Sequence, residues 1–219
     1  MCIIAIKPEG QKMFSKATLK TMFTNNPDGA GFMFYDEEAH AVVYEKGYLT
    51  FDSLWIRLRT LNLKDTTAVL HFRIGTSGYL DKLNCHPYPV RQKNADHGTT
   101  DLAVAHNGIL SDYTPSKSSK INDTQVFINT VLNKLNKGFE KDTDKCMLIG
   151  ELIGSNKLAF LNNDGELHLI GDFIKDDGYI YSNYSYMPRP AKTNYTHYSY
   201  KDLMDELWDD GDDWEKDWD

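Results

Sequence analysis

The spacing of apolar positions along the chain predicts a domain in which strands alternate with helices. Short apolar or β-branched runs predict the strands, and the Asn163-Asp164-Gly165 turn signal joins the last two strands into a hairpin. The predicted strands cover residues 2–6, 31–35, 41–45, 67–73, 102–105, 158–161 and 166–170.

Apolar residues at helical spacing predict helices between these strands. Thr50 is a suitable N-cap for the second helix, and Asn122 with Gln125 resembles a capping box at the start of the third. Segments 75–78 and 91–101 are predicted to be loops. The predicted helices cover residues 15–24, 51–61, 123–135 and 146–153.

The 219 residues, of which 41% are hydrophobic and 26% are charged, are enough for one globular domain with a short extension. The net charge of −8 is concentrated at the end, because residues 202–219 contain ten acidic residues and a single lysine. The rest lacks the basic excess of a nucleic-acid binder, so no nucleic-acid partner is expected. The tail is either a solvated, disordered end or a segment whose Trp208, Trp214 and Trp218 dock on a basic protein surface or on the tyrosine-rich segment.

Three scattered cysteines, Cys2, Cys85 and Cys146, suit free thiols in a reducing compartment better than a disulfide framework. The Cys85-His86 pair has no recognised ligand spacing with other histidines, so no metal site is expected. The longest apolar stretches, such as residues 3–6, are far too short to span a membrane, and the chain start lacks the pattern of a signal peptide. These features predict a cytoplasmic protein.

Polar residues lie at predicted strand ends in four places, which are Cys2, residues 71–73, Asn107-Gly108 and Asp123. Cys2 directly follows the initiator methionine, which is normally removed before a small residue. Removal leaves a cysteine whose own α-amine, with a reference pKa of about 7.7–8.0, can act as the general base for its thiol. The alternative is that Cys2 is a small buried residue of the first strand.

A set of six segments follows one another along the chain: Cys2 and residues 26–31, 71–78, 84–88, 106–108 and 123–124. Together they resemble the motifs of class II glutamine amidotransferases, which are N-terminal nucleophile hydrolases, and most of all those of the short stand-alone members. The resemblance covers residues 2–182 and implies an α+β fold, a four-layer α/β/β/α sandwich. We therefore expect this domain to be followed by a Tyr- and Pro-rich extended segment at 183–201 and by the acidic tail at 202–219.

The resemblance implies that Cys2 attacks the side-chain amide of glutamine, releases ammonia and leaves a γ-glutamyl thioester for water to hydrolyse. The side-chain amide of Asn107 and the backbone N–H of Gly108 would hold the developing oxyanion. Without the resemblance, Asn107-Gly108 is an ordinary turn dipeptide. His71 and His106 are expected to be hydrogen-bonded structural residues. No cofactor is implied.

The same resemblance assigns the residues that recognise the glutamine head group. Arg73, helped by Thr76, would bind the α-carboxylate through a forked pair of hydrogen bonds. Asp123 would accept the α-ammonium, and His86 would brace the loop behind the pocket. The alternatives are a surface ion pair for Arg73 and a helix-start acid for Asp123.

Three positions depart from the family pattern. Ile3 stands where members often have glycine, Ala30 where stand-alone relatives commonly have tryptophan, and Ile74 where many have an aromatic residue. The smaller residues at the last two positions predict a wider pocket. The leading hypothesis is a glutaminase that delivers ammonia to an acceptor on a separate protein. The alternatives are a hydrolase of another γ-glutamyl amide and a non-catalytic binding module that uses its acidic tail.

Overall fold

The computed structural model describes residues 2–75, 81–116 and 118–188 of the chain. Thr76, most of the Tyr- and Pro-rich segment and the whole acidic tail lie outside the described residues. The strands are β1 (Ile3–Lys7), β2 (Ala30–Asp36), β3 (Ala41–Tyr48), β4 (Ala68–Phe72), β5 (Tyr88–Pro89), β6 (His97–Thr100), β7 (Leu102–Asn107), β8 (Lys157–Asn162), β9 (Leu167–Ile170), β10 (Ile174–Asp176) and β11 (Tyr179–Tyr181). The α-helices are α1 (Lys16–Asn25), α2 (Phe51–Leu58), α3 (Asp123–Thr130) and α4 (Thr143–Ile153), and short 3₁₀ turns cover Lys82–Asn84, Ser111–Tyr113, Leu132–Lys134 and Phe139–Lys141.

Antiparallel pairing builds a seven-stranded sheet in the order β10-β11-β1-β4-β2-β3-β6 and a four-stranded sheet in the order β5-β7-β8-β9. Because side chains on a strand alternate between the two faces of its sheet, Ile4 and Ile6 of β1 face the four-stranded sheet, while Ile3 and Ala5 pack with α1 and α2. Helices α3 and α4 cover the outer face of the four-stranded sheet. These layers confirm the predicted α/β/β/α sandwich.

Part of the core between the two sheets combines large residues of one sheet with alanines of the other. Ile4 and Met33 of the seven-stranded sheet pack against Ala103, Ala105 and Ala159 of the four-stranded sheet, and all five are fully buried. Alanine side chains let the two sheets approach closely without leaving voids. The ends of β1, β4 and β7 are therefore near one another, and this is where the predicted site residues lie.

The first helix forms as the sequence predicts, and the second begins as predicted but ends at Leu58, three residues before its predicted end. The Ser15 hydroxyl oxygen accepts from the Thr18 N–H at 3.0 Å and caps α1, which buries Leu19 and Met22 against the seven-stranded sheet. Thr50 accepts from the backbone N–H of the residue three positions later and caps α2. Each cap satisfies a backbone N–H that has no partner within its helix.

The third helix is shorter than predicted, because it ends at Thr130 and is followed by a 3₁₀ turn. Thr130 and Val131 are β-branched, and such residues weaken a helix. Asn122 caps the helix by accepting from the Gln125 N–H at 3.0 Å. The second half of the predicted capping box is wrong, since the side-chain oxygen of Gln125 accepts instead from the Asn94 amide at 3.0 Å.

Short strands at the sheet edges were not predicted. Strand β6 lies inside the segment predicted to be a polar loop, and it pairs with β3 at the edge of the seven-stranded sheet, where its side chains are largely exposed. Strand β11 pairs with β1 and buries Tyr181, whose ring stacks on Tyr186 with centroids 3.8 Å apart. Exposed or three-residue strands carry too few apolar positions to show a period.

Candidate active site

Cys2 lies directly before β1 and beside the end of β4, because the antiparallel register pairs Ile3 with Phe72. The backbone N–H of Ile74 donates to the Cys2 Sγ at 3.3 Å. Burial raises the pKa of the Cys2 thiol, and the hydrogen bond from Ile74 and the positive charge of Arg73 offset this only in part. The thiol is therefore protonated at neutral pH and needs a base before it can attack.

The carbonyl oxygen of Cys2 is held by two side-chain amides from other parts of the chain. Asn107, the last residue of β7, donates to this oxygen, and Asn183, two residues after β11, donates to it at 2.6 Å. The Asn107 amide also donates to Ser182 Oγ at 3.1 Å, and this oxygen accepts from the N–H of Ile4 at 2.8 Å. The start of β1 is thus fixed by the ends of β7 and β11.

Sequence reasoning named neither Ser182 nor Asn183 as a site residue. Strand β11 pairs with β1 and brings both residues to Cys2, and the Ser182 N–H donates to the Ile4 carbonyl at 2.9 Å. The sequence offers no period here, because Tyr179–Tyr181 is only three residues long and none of the three is a charged or small polar residue. The aromatic and Pro-rich composition that follows does not indicate a strand either.

Gly108 follows Asn107 and has a φ of 142°, a conformation that residues with side chains rarely adopt. A Cβ at this position would lie 1.8 Å from Oδ1 of Asn156, so this backbone requires glycine. Asn156 was not predicted to belong to the site. The contact joins the end of β7 to the start of β8, and only the folded sheet brings the two together.

Arg73 follows β4 and is buried, with 3% of its surface exposed. Its N–H donates to the Gly29 carbonyl at 2.8 Å, and its own carbonyl accepts from the Asp28 N–H at 2.9 Å. The Asp28 carboxylate in turn accepts from the Gly75 N–H at 2.8 Å. The guanidinium lies against Gly75, where a Cβ would be 3.3 Å from Nη2. This burial contradicts the alternative that Arg73 is a surface ion-pair residue.

Asp123 does not end a strand, as the sequence pattern predicted, but is the first residue of α3. One carboxylate oxygen accepts from the Leu110 N–H at 2.8 Å, and the other accepts from the Thr124 N–H at 2.9 Å. A negative charge is favourable at a helix N-terminus. The Asp123 carboxylate therefore anchors the loop that follows Gly108, whatever else it binds.

Three histidines, His71, His86 and His106, form a buried cluster where β4 faces β7. The rings of His71 and His86 have centroids 4.2 Å apart, and Thr124 Oγ1 lies 3.2 Å from His86 Nε2 and 2.8 Å from His106 Nδ1. Burial lowers the pKa of His71 to about 3 and also lowers the pKa of His86 and His106. All three are neutral at neutral pH, and these contacts suit the supporting roles expected for them.

Acid should destabilise the fold through this cluster. Burial lowers the folded-state pKa of each imidazole below its unfolded value of about 6.5, so the unfolded chain binds more protons below pH 6.5. Stability is therefore full above pH 6.5 and is lost as the pH falls toward the folded-state pKa values. Urea denaturation at pH 5.5 and at pH 4.5 measures how much the unfolding free energy falls over one pH unit. This fall should be about 1.3 kcal/mol smaller in His86→Gln than in the wild type. An equal fall in both proteins would mean that folded His86 is already protonated there.

The other two cysteines occupy different surroundings. Cys85 is fully buried, and this burial raises the pKa of its thiol. Its Sγ packs against Gly29, where an added Cβ would lie only 2.6 Å from the sulfur. Cys146 lies in α4 and donates to the Glu140 carbonyl at 3.3 Å.

Among the described residues, no three histidine, cysteine or acidic side chains are grouped so as to hold a metal ion. No α-helix in the described part of the chain is long and apolar enough to span a membrane.

The sequence profile described as "Glutamine amidotransferases class-II" matches residues 11–170, which is most of the chain. The chain belongs to the class II glutamine amidotransferase family. The described domain is therefore one that uses the side-chain amide of glutamine. Arg73, Asn107 and Asp123 lie within the matched residues, whereas Cys2 and Asn183 lie outside them.

Two solved structures share the fold of this amidotransferase. One is glutamine phosphoribosylpyrophosphate amidotransferase from B. subtilis complexed with ADP and GMP, at 20% identity and a TM-score of 0.54, covering 83% of this chain and 42% of that one. The other is described as the allosteric regulatory enzyme of purine biosynthesis, at 18% identity and a TM-score of 0.54, covering 83% of this chain and 41% of that one. The chain spans less than half the length of either. No curated protein sequence matches it.

Two of the three departures from the class II amidotransferase pattern do not face the thiol. Ala30 pairs with Phe72 and is fully buried in the core that packs against α1 and α2, and Ile3 is buried in the same core. The expectation that Ala30 widens the pocket is therefore wrong, and Ile3 packs on the same side of the sheet as Ala30. Ile74 is the departure that contacts Cys2, through its backbone.

Proposed function

We propose that the chain is a glutamine amidohydrolase that uses Cys2 as its nucleophile and passes ammonia to an acceptor on a separate protein. The observation that carries this proposal is the meeting of Cys2, Ile74 and Asn107 at one end of a glutamine amidotransferase fold. At that end, three segments that are far apart in the sequence supply a thiol, a backbone N–H that donates to its sulfur, and a side-chain amide. Acyl transfer through a thiol requires groups of this kind close together.

The proposed reaction begins when the α-amine of Cys2 takes the thiol proton and the thiolate attacks the amide carbon of glutamine. The carbonyl electron pair moves to oxygen and gives a tetrahedral oxyanion. The proton then passes from the amine to the amide nitrogen, the C–N bond breaks, and ammonia leaves a γ-glutamyl thioester on Cys2. Water, deprotonated by the same amine, attacks the thioester and yields glutamate and the free thiol. The raised pKa of the Cys2 thiol makes this base necessary.

The proposed oxyanion donors are the Asn107 amide and the Gly108 N–H. Both hydrogens of the Asn107 amide have acceptors in the structure, which are the carbonyl of Cys2 and the hydroxyl of Ser182. Donation to a substrate oxyanion therefore requires Asn107 to release one of them. Either acceptor would keep another donor, because the Ser182 hydroxyl retains the N–H of Ile4 and the Cys2 carbonyl retains the amide of Asn183.

The head group of glutamine carries a carboxylate and an ammonium, which are costly to remove from water without matched partners. In this proposal Arg73 and Thr76 bind the carboxylate, and Asp123 binds the ammonium. Arg73 and Asp123 lie within the residues that match the family and are both buried, as groups that bind a desolvated head group must be. His86 braces the site from behind through Thr124.

A protein that retains a residue before Cys2 should be inactive, because the α-amine is then an amide and cannot act as a base. We expect no ammonia release from a variant with a bulky residue inserted between Met1 and Cys2, which keeps the methionine in place. Activity should appear when a site-specific protease removes a leader and exposes Cys2, with intact-mass measurement at each stage. Full activity of the blocked protein would contradict the proposed base.

The substrate is tested by measuring ammonia and glutamate from glutamine and substituted amines from a set of γ-glutamyl amides. Equal molar release of ammonia and glutamate, fastest with glutamine, supports the proposal. Faster turnover of a substituted amide would favour the second candidate, a hydrolase of that amide. Co-purifying proteins that accelerate ammonia release would identify the acceptor.

A further inference from the structure

The segment 106–110, which contains the proposed oxyanion donors, is attached to α3 at both ends. At its start, His106 Nδ1 lies 2.8 Å from Thr124 Oγ1. At its end, the Leu110 N–H donates to the Asp123 carboxylate at 2.8 Å. Asp123 and Thr124 are the first two residues of one helix, so the two attachments belong to a single rigid element.

Asn156 supports the same segment from a third direction. Its Oδ1 lies against Gly108 and 3.1 Å from His106 Nε2. The orientation of this amide is fixed by its nitrogen, which donates to the Ile153 carbonyl at 2.5 Å. An amide oxygen can only accept, so His106 Nε2 carries a hydrogen.

The direction of the other bonds follows from this assignment. Neutral His106 holds one ring hydrogen, so its Nδ1 accepts from the Thr124 hydroxyl. The hydroxyl oxygen in turn accepts from His86 Nε2 at 3.2 Å. His71 Nε2 lies 3.0 Å from the carbonyl oxygen of His106, which also can only accept, and it therefore carries a hydrogen too. All three histidines have their hydrogen on Nε2.

We propose that Thr124 is a positioning residue for Asn107-Gly108, acting through a one-directional chain of hydrogen bonds that runs from His86 through Thr124 and His106 to Asn156. The proposal rests on the proposed function, because its catalytic consequence is the alignment of the oxyanion donors. The Thr124 hydroxyl joins the two histidines at the centre of this chain. Its removal leaves His106 Nδ1 buried without a donor, while the groups proposed to bind the substrate head group keep their charges.

Kinetics of matched variants test the positioning role. Thr124→Val keeps the shape without the hydroxyl and should lower kcat for glutamine hydrolysis about 10- to 100-fold with KM changed by less than about 3-fold, because alignment of the oxyanion donors matters in the transition state. Thr124→Ser keeps the hydroxyl and should stay within about 3-fold of the wild type in both constants. Thr130→Val, at an exposed position of the same helix, is the control and should change neither. Equal kcat in the valine and serine variants would overturn the proposal.

Nitrogen NMR of histidine-labelled wild type decides the hydrogen-bond direction without reference to activity. We expect His71, His86 and His106 to be neutral Nε2–H tautomers, and the Nδ1 resonance of His106 to shift in Thr124→Val. An Nδ1–H tautomer at His106 would overturn the proposal even if the valine variant failed to fold. An active Cys2→Ala protein would instead remove the proposed function and leave the tautomer assignment standing.

Discussion

Replacing Cys2 with alanine should lower kcat for ammonia release from glutamine by at least about 10,000-fold, because no other group can form the γ-glutamyl thioester. The loss is that of a whole covalent pathway, since the α-amine and the oxyanion donors have no attacking atom to act on. Coupled assays of ammonia and glutamate measure it. The unfolding midpoint should stay close to that of the wild type, because the half-buried Cys2 side chain lies outside the clusters that form the apolar core.

The other two cysteines provide the matched controls. Cys146→Ala should keep wild-type activity, because Cys146 lies in α4 on the outer face of the four-stranded sheet. A glutamine analogue with an electrophilic side chain should label Cys2 and spare Cys85, whose Sγ is fully buried against Gly29. Labelling of Cys85 in place of Cys2 would assign the nucleophile to the Cys85-His86 pair.

The central elements of the fold were predictable because their buried residues form continuous apolar runs in the strands and recur at helical spacing in the helices. Strands β1 and β7 are buried along their whole length, and α1 and α2 have an N-cap residue followed by apolar positions on one side. The edge strands were not predictable in the same way. In β6 the backbone pairs with β3, but only Thr100 is buried and no residue is apolar, so the sequence of His97–Thr100 resembles that of a loop.

The candidate site was predictable only as a set of residue types. The motif order pointed to Cys2, Arg73, Asn107 and Asp123, and the structure brings Cys2 and Asn107 into direct contact. The supporting residues were not accessible, because their contacts depend on strand register. Asn183 reaches Cys2 only because β11 pairs with β1.

Ala30 shows why a motif position does not by itself place a side chain. Ala30 was matched to a pocket residue of relatives by its order in the sequence. The face of the sheet on which its side chain lies is set instead by the pleat of β2 and by the pairing of Ala30 with Phe72. A change of one position in register reverses the face of every side chain in a strand. Comparison of motifs therefore identified the segment correctly and the direction of this side chain wrongly.

Removing either of the two charges proposed to bind the glutamine head group should lower kcat/KM roughly 30- to 5,000-fold, which corresponds to about 2–5 kcal/mol. The reason is that one substrate charge is left without a partner in a desolvated pocket. Asp123→Asn removes the negative charge at constant size and should strand the α-ammonium. Arg73→Gln removes the positive charge and should strand the α-carboxylate. Steady-state kinetics with glutamine measure both losses.

The Arg73 variant has its own selectivity test. Wild-type protein should strongly prefer glutamine over an analogue that lacks the α-carboxylate, and Arg73→Gln should lose most of that preference. It should keep its preference for glutamine over an analogue that lacks the α-amine, since Asp123 is still present. A variant that loses both preferences together would show a general collapse of the pocket, because the Arg73 side chain is buried and its guanidinium packs against Gly75.

A rate loss in Asp123→Asn does not by itself identify a binding role, because Asp123 also accepts the N–H groups of Leu110 and Thr124. The comparison between glutamine and the analogue without the α-amine separates the two contributions. Misalignment of the loop after Gly108 slows both substrates equally, since both pass through the same oxyanion. Loss of the ammonium partner slows glutamine alone. The wild type should therefore prefer glutamine strongly and the variant should lose most of that preference, whereas equal preferences in the two proteins would leave Asp123 as a structural acid at the start of α3.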